Sequence, residues 1–195
     1  MRNFVIGAAS PTVGVNLGNT FYSGNFTGTD PDLPPYGLYL DGCPSGYQVT
    51  LNKFTNNRPT QGLCYGVLVN NGGGEANQIY KNTFTKQLVG VHAIGVNRNA
   101  AGTGLQIRCN EFIDGGYDIN ATQGDATTTS LAGVARNQGV PFSMGTTPSN
   151  TQLAGNTFSG LSLNAQHWYN EGTYLDYWHH FQDPSLVPID RKSVV

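Results

Sequence analysis

Charged side chains are scarce in this chain. Only 11% of its 195 residues are Asp, Glu, Lys or Arg, and the formal net charge is -2. The basic residues are scattered from Arg2 to Lys192 without forming a cluster. Because phosphate backbones are bound by basic surfaces, we expect no nucleic-acid partner. Solubility must come mainly from amides, hydroxyls and the backbone.

Long apolar runs are also missing, and cysteine is rare. No segment approaches the roughly 20 apolar residues of a membrane helix, so we expect no membrane span. The apolar part of residues 1–10 is too short for an ordinary signal peptide. Cys43, Cys64 and Cys109 form no Cys-x-x-Cys pair, which argues against zinc and against a dense disulfide framework. A Cys43–Cys64 bridge and buried free thiols both remain open.

Strong helix formers are too sparse to build several helices. In contrast, the chain has 26 glycines and 20 asparagines. Together with Thr, Val and aromatic residues, these suit short strands separated by tight turns. We therefore predict an all-β protein.

An internal repeat is the strongest signal in the sequence. Asn-x-Phe occurs five times, and successive Asn residues are 33, 30, 28 and 46 positions apart. An aliphatic residue lies three positions before the Asn in copies two to five. The five pairs are Asn19 and Phe21, Asn52 and Phe54, Asn82 and Phe84, Asn110 and Phe112, and Asn156 and Phe158.

A second element follows each copy and has the form Gly, apolar, any residue, apolar. It reads GLYL at 37–40, GVLV at 66–69, GVHA at 90–93, GYDI at 116–119 and GLSL at 160–163. This alternation is typical of a strand with one buried face. Two short strands in each unit of about 30 residues indicate a solenoid whose coils stack strand upon strand.

The Asn-x-Phe motif suits such a stack of coils. Asn tolerates left-handed backbone conformations, so we expect it at a sharp corner, with its amide in a ladder along the stack. The Phe two positions later would point inward and stack on the Phe of the next coil. Each stacked pair contributes about 0.5–1.5 kcal/mol beyond burial.

Asn-x-Phe after an aliphatic residue, in repeats of variable length, resembles the right-handed parallel β-helix regions of large secreted proteins of Bacteroidota-type bacteria that use the type IX secretion route. The resemblance covers roughly residues 15–165, and the segment 167–190 is similar to the tail that follows the last coil in such proteins. It implies an extracellular or cell-surface location and a longer parent polypeptide. The expected domains are about five coils in 1–165, with loop insertions near 27–36 and 121–152, and a C-terminal cap in 166–195.

The aromatic tail and the first insertion allow further hypotheses. Trp168 and Trp178 fit a cap over the exposed end of the solenoid, and the alternative is a platform on which sugars stack. Asp30 and Asp32 are compatible with a calcium site, although a capped turn is the simpler interpretation. The segment DYWHHFQD at 176–183 suggests a metal site only weakly, because adjacent His side chains diverge. We expect no metal site and no cofactor.

Two outer rows contain the candidate ligand-binding and catalytic residues. Stacked strands lie about 4.8 Å apart, so His92 is expected to meet Asp118 as a minimal general base, or as an ordinary surface pair. In the second row, Tyr80 and Arg108 are expected to stack or to bind a uronic acid together. The predicted rows are Tyr39, Leu68, His92, Asp118 and Ser162, and Thr50, Tyr80, Arg108 and Ala154.

These features predict a structural or ligand-presenting β-helix module of a secreted or cell-surface protein, with polysaccharides or surface glycans as the expected partner. The alternative is a carbohydrate-active enzyme, either a polysaccharide lyase or a glycoside hydrolase. Its site would lie on the face with His92, Asp118 and Arg108, or in the loop at 121–155. Fold alone does not decide between the two, because β-helices support both roles.

Overall fold

The structure is a computed structural model of the 195-residue chain. It describes residues 4–7, 18–22, 35–44, 46–57, 64–124, 131–139, 154–159, 166–171 and 178–179, and only the backbone at 4–7, 166, 171 and 178–179. These residues form β-strands and connections without an α-helix, which confirms the predicted all-β class. Within them, no helix has the length and apolarity needed to cross a membrane.

Fourteen of the strands form three sheets, and every strand pair in them is parallel. The first sheet contains β1 (Phe4–Gly7), β4 (Tyr47–Thr50), β7 (Gln78–Tyr80) and β10 (Gln106–Arg108). The second contains β2 (Thr20–Tyr22), β5 (Lys53–Thr55), β8 (Thr83–Thr85), β11 (Glu111–Ile113) and β14 (Thr157–Ser159). The third contains β3 (Tyr36–Asp41), β6 (Tyr65–Asn70), β9 (Val89–Ile94), β12 (Tyr117–Thr122) and β15 (Gln166–Glu171).

The chain enters the first, second and third sheets in that order and then returns to the first. Each of the first four repeats therefore adds one strand to each sheet, next to the strand of the preceding repeat, and the described strands of the fifth repeat, β14 and β15, extend the second and third sheets. A separate short pair joins β13 (Asn137–Gln138) to β16 (Trp178–His179), also in parallel. This arrangement aligns equivalent positions of successive repeats in rows across the sheets.

The five phenylalanines of the motif form one column along the second sheet. Neighbouring ring centroids are 4.8, 5.0, 5.0 and 5.4 Å apart, and the ring planes are tilted by 9° or less. The three middle rings are buried, while Phe21 and Phe158 at the ends are half-buried. The His167 ring stacks on Phe158 at 4.8 Å and continues the column. The predicted stack is thus present, and a histidine extends it by one ring.

The asparagines of the motif form a buried ladder beside this column. The Oδ1 of Asn82 accepts hydrogen bonds from the backbone N and the Nδ2 of Asn52, at 3.0 and 3.1 Å. Its Nδ2 donates to the carbonyl of Val49 at 2.9 Å and to Oδ1 of Asn110 at 3.0 Å. The backbone N to Oδ1 bond recurs at all four junctions between the five asparagines. The three inner amides, of Asn52, Asn82 and Asn110, are buried and are hydrogen-bonded to both neighbouring asparagines.

The predicted left-handed conformation belongs to a different residue. Left-handed φ angles of 60°, 55°, 54° and 62° occur at Leu51, Lys81, Cys109 and Gly155, each immediately before a ladder asparagine. The expectation that Asn itself takes this conformation is wrong. The sharp corner of the backbone lies at the residue before the Asn, so the Asn side chain can point along the stack.

The third sheet corrects the alignment of the fourth and fifth repeats. Tyr117 pairs with Val89, so Gly90 lies opposite Asp118 and not opposite Gly116. In the fifth repeat the sheet is continued by β15, in residues that the sequence assigns to the cap. GLSL at 160–163 lies outside the described residues.

Glycine is required at the second position of the first three strands of this sheet. A Cβ at Gly37, Gly66 or Gly90 would lie 2.6, 2.5 and 2.7 Å from the Phe ring of the following repeat. The equivalent residues in the fourth and fifth strands are Asp118 and His167. The ring spacing next to Asp118, between Phe112 and Phe158, is 5.4 Å and is the largest in the column, which is consistent with a larger residue at this position.

Candidate functional site

His92 lies in an outer row of the third sheet, but Asp118 does not lie beside it. Tyr39 pairs with Leu68, and Leu68 pairs with His92, as predicted. The row then continues through Asn120 and Tyr169. The predicted His92–Asp118 pair is therefore wrong, because the fourth copy of the glycine element is offset by two residues. Ser162 lies outside the described residues.

The surroundings of His92 do not favour a general base. Its ring stacks on Tyr65 at 5.7 Å with a tilt of 16°, and its Nε2 is 3.4 Å from Oγ1 of Thr122. Its Nδ1 is buried and has no hydrogen-bond partner among the described residues. Burial lowers the pKa of His92 to about 4. The imidazole is therefore neutral at pH 7 and has little affinity for a proton.

Asp118 is buried, with 5% of its surface exposed. Burial raises the pKa of Asp118 to about 8, so its carboxyl group is mainly protonated at neutral pH. Its Oδ1 would be 2.5 Å from a Cβ at Gly115, which explains why position 115 has no side chain. The carboxyl group thus lies against the backbone at Gly115, and Asp118 is opposite Gly90 and not His92.

The second predicted row is formed. Thr50 pairs with Tyr80, and Tyr80 pairs with Arg108, on β4, β7 and β10. Tyr80 and Arg108 are both half-buried, and the Lys81 ammonium lies 5.1 Å from the centroid of the Tyr80 ring. An aromatic ring with one cation near it and an arginine on the adjacent strand is suited to an acidic sugar, since cations bind the carboxylate and the ring covers an apolar face.

The positions of the two tryptophans bear on the predicted sugar-stacking platform. Trp168 lies on β15 with 0% exposure and packs in the hydrophobic core. Its ring is therefore not available to a sugar, and this interpretation is wrong for Trp168. The backbone of Trp178 pairs with Asn137, and its side chain lies outside the described part of the structure.

An aromatic group that sequence analysis did not single out lies at the start of the third sheet. The rings of Tyr36 and Tyr39 on β3 are 5.6 Å apart, and Tyr36 is 5.4 Å from Tyr65 on β6. Tyr36 is 37% and Tyr39 51% exposed. The recurrence of Tyr-Gly at the start of both strands, YGLYLD and YGVLVN, is the sequence signal that would have located this group.

The metal hypotheses fall mainly outside the described residues. Asp30 and Asp32 lie there, as does most of the segment 176–183. Within the described ranges, no three or more His, Cys, Asp or Glu residues are grouped in a way that would hold a metal ion. Cys43, Cys64 and Cys109 are free thiols, so the possible Cys43–Cys64 bridge is not formed.

Comparison with known proteins gives no match for this chain, whether with protein-family models, curated protein sequences or solved structures.

Proposed function

We propose that this chain is a right-handed parallel β-helix module of a large secreted or cell-surface protein, and that it presents side chains that bind glycans. Three parallel sheets, to each of which the first four repeats add one strand in a fixed order, support this architecture. The continuous Asn ladder and Phe column support a rigid module, because they link every repeat to the next.

The row that contains Tyr80 and Arg108 is the observation that carries the binding role. Both side chains are held by strands whose backbones are paired on adjacent repeats. A ligand therefore meets side chains whose spacing is already fixed, which reduces the entropy lost on binding. The Lys81 ammonium beside the Tyr80 ring adds a positive charge at the same place.

Among the described residues, no specific contact favours the enzyme alternative on its predicted face, and residues 125–130 and 140–153 of its other predicted site lie outside them. His92 and Asp118 lie at different positions of the third sheet, and Arg108 belongs to the first sheet.

The test is a polysaccharide panel in which binding and the release of reducing or unsaturated ends are measured together. We expect binding without release, and Arg108→Gln should weaken binding to acidic polymers. Lys53→Gln is the matched control, because Lys53 is an exposed cation on the second sheet. Release of products by the wild-type chain would overturn the binding role in favour of an enzyme, and failure to bind any polymer would leave no support for glycan recognition.

A further inference from the structure

Four side chains form a small square on the outer face where β3 meets β6. Tyr39 pairs with Leu68, and Asp41 pairs with Asn70. Residues two apart on a strand share one face and lie about 6.6 Å apart, so the aromatic and polar pairs are separated by about the width of a sugar ring. Tyr39 is 51% exposed and Leu68 is buried beside it.

The polar half of this square retains hydrogen-bonding capacity. The Nδ2 of Asn70 donates to Oδ1 of Asp41 at 2.9 Å, in an exposed position. This bond fixes the orientation of the carboxylate and the amide relative to each other. The other carboxylate oxygen and the amide oxygen are then available as acceptors for hydroxyl groups.

The charge of this outer face determines which class of sugar can bind at the square. The described strands of the third sheet contain neither Lys nor Arg. Asp41 places a negative charge on the outer face, which would repel a carboxylated or sulfated sugar and leave it without a counterion. An uncharged pyranose avoids this repulsion, places its apolar face on Tyr39 and donates its hydroxyl groups to Asp41 and Asn70.

We propose that Tyr39, Asp41 and Asn70 form a binding site for a neutral pyranose unit of a glycan, with the buried Leu68 supporting the site from the adjacent strand. This inference rests on the proposed function and adds to it a second site with a different ligand class. The row with Tyr80 and Arg108 favours acidic sugars, and the square on the third sheet favours uncharged ones.

The test is affinity electrophoresis of the full chain through gels that contain a neutral polymer, either a β-glucan, a mannan or a xylan, or the acidic polymer polygalacturonate. At least one neutral polymer should retard the wild-type chain. Tyr39→Ala and Asp41→Ala should each weaken this binding about tenfold, which corresponds to about 1.4 kcal/mol. Tyr22→Ala is the matched control, because Tyr22 is 68% exposed but lies on β2 of the second sheet. This variant should bind the neutral polymer as wild type does.

The possible failures separate the two proposals. Retardation by polygalacturonate alone, weakened by Arg108→Gln, would overturn the neutral-sugar site and leave the proposed glycan-binding function intact. Neutral-polymer binding that neither Tyr39→Ala nor Asp41→Ala changes would also overturn the site. Retardation by none of the polymers would overturn both. Both side chains are exposed, so the far-ultraviolet circular dichroism and thermal midpoints of the two variants should match those of wild type.

Discussion

Phe84→Ala removes the middle ring of the phenylalanine column. Phe84 is 2% exposed and stacks on Phe54 and on Phe112, at 5.0 Å in each case. Truncation of a buried Phe to Ala costs about 3–5 kcal/mol in total, and this variant loses two ring pairs, each of which contributes about 0.5–1.5 kcal/mol to that total. We therefore expect a loss near the upper end of the truncation range, about 4–5 kcal/mol.

Two other variants separate the contributions to this loss. Phe21→Ala acts on a half-buried ring that stacks on one neighbour, at 4.8 Å, and should cost about 1–2 kcal/mol because less surface and one ring pair are lost. Phe84→Leu keeps most of the apolar volume and removes the stacking, so its effect should fall between those of the two alanine variants.

Urea unfolding followed by far-ultraviolet circular dichroism and by tryptophan fluorescence measures these differences. Trp168 is buried in the same core as Phe84, so its emission reports on loss of that core. A cost below about 1 kcal/mol for Phe84→Ala, or one equal to that of Phe21→Ala, would refute the role of Phe84 as a core residue.

Three further predictions concern the ladder, the glycine positions and the buried acid. Asn82→Ala should lower the free energy of unfolding in urea by about 2–4 kcal/mol, because it leaves the buried backbone N–H of Asn52 without its acceptor. A loss below about 0.5 kcal/mol, as for ordinary surface substitutions, would contradict the ladder. Gly66→Ala should destabilise by about 1–3 kcal/mol, since its Cβ would lie 2.5 Å from the Phe84 ring; a thermal midpoint equal to that of wild type would argue against this packing. The pKa of Asp118 is raised to about 8 from 3.8, so between these pH values the folded state binds a proton that the unfolded state has lost. The free energy of unfolding should therefore fall as pH rises from about 4 to about 8, with a slope of at most about 1.4 kcal/mol per pH unit. Asp118→Asn should remove this contribution, and an unchanged pH profile of the urea midpoint would show that Asp118 titrates normally.

The repeat and the strand class were predictable because the same local requirements recur in every copy. A buried ring at the Phe position and a hydrogen-bonded amide at the Asn position leave little choice of residue. The Asn82 amide bonds to both neighbouring asparagines, and Phe84 stacks on both neighbouring rings. Such constraints are visible in the sequence because substitution at either position would disturb two junctions at once.

The alignment of the fourth and fifth repeats was not predictable from the amino-acid sequence alone. Gly115 and Gly116 are adjacent, and matching the motif selects Gly116 as the start of the strand element. Backbone pairing of Tyr117 with Val89 instead sets the register and places Asp118 at the glycine position. His167 could not be recognised as its counterpart in the fifth repeat, because its strand shares no glycine with the others.

The candidate sites, too, were predictable from the sequence only in part. The row with Tyr80 and Arg108 was predictable, because both residues occupy the same position before a motif asparagine. The His92 pair failed with the two-residue offset of the fourth repeat. Tyr39 and Asp41 were not combined into a site, because their relation to Leu68 and Asn70 depends on the pairing of β3 with β6, and the sequence does not show which polar groups lie side by side across strands.

A crystal structure of the 195-residue chain tests the central claim, that successive repeats add parallel strands to the same three sheets. The account predicts the five motif phenylalanines in a single column with centroid spacings between 4.8 and 5.4 Å, and Oδ1 of Asn82 within hydrogen-bonding distance of the Asn52 backbone N. Antiparallel pairing of β5 with β8, or phenylalanine rings divided between separate cores, would contradict it.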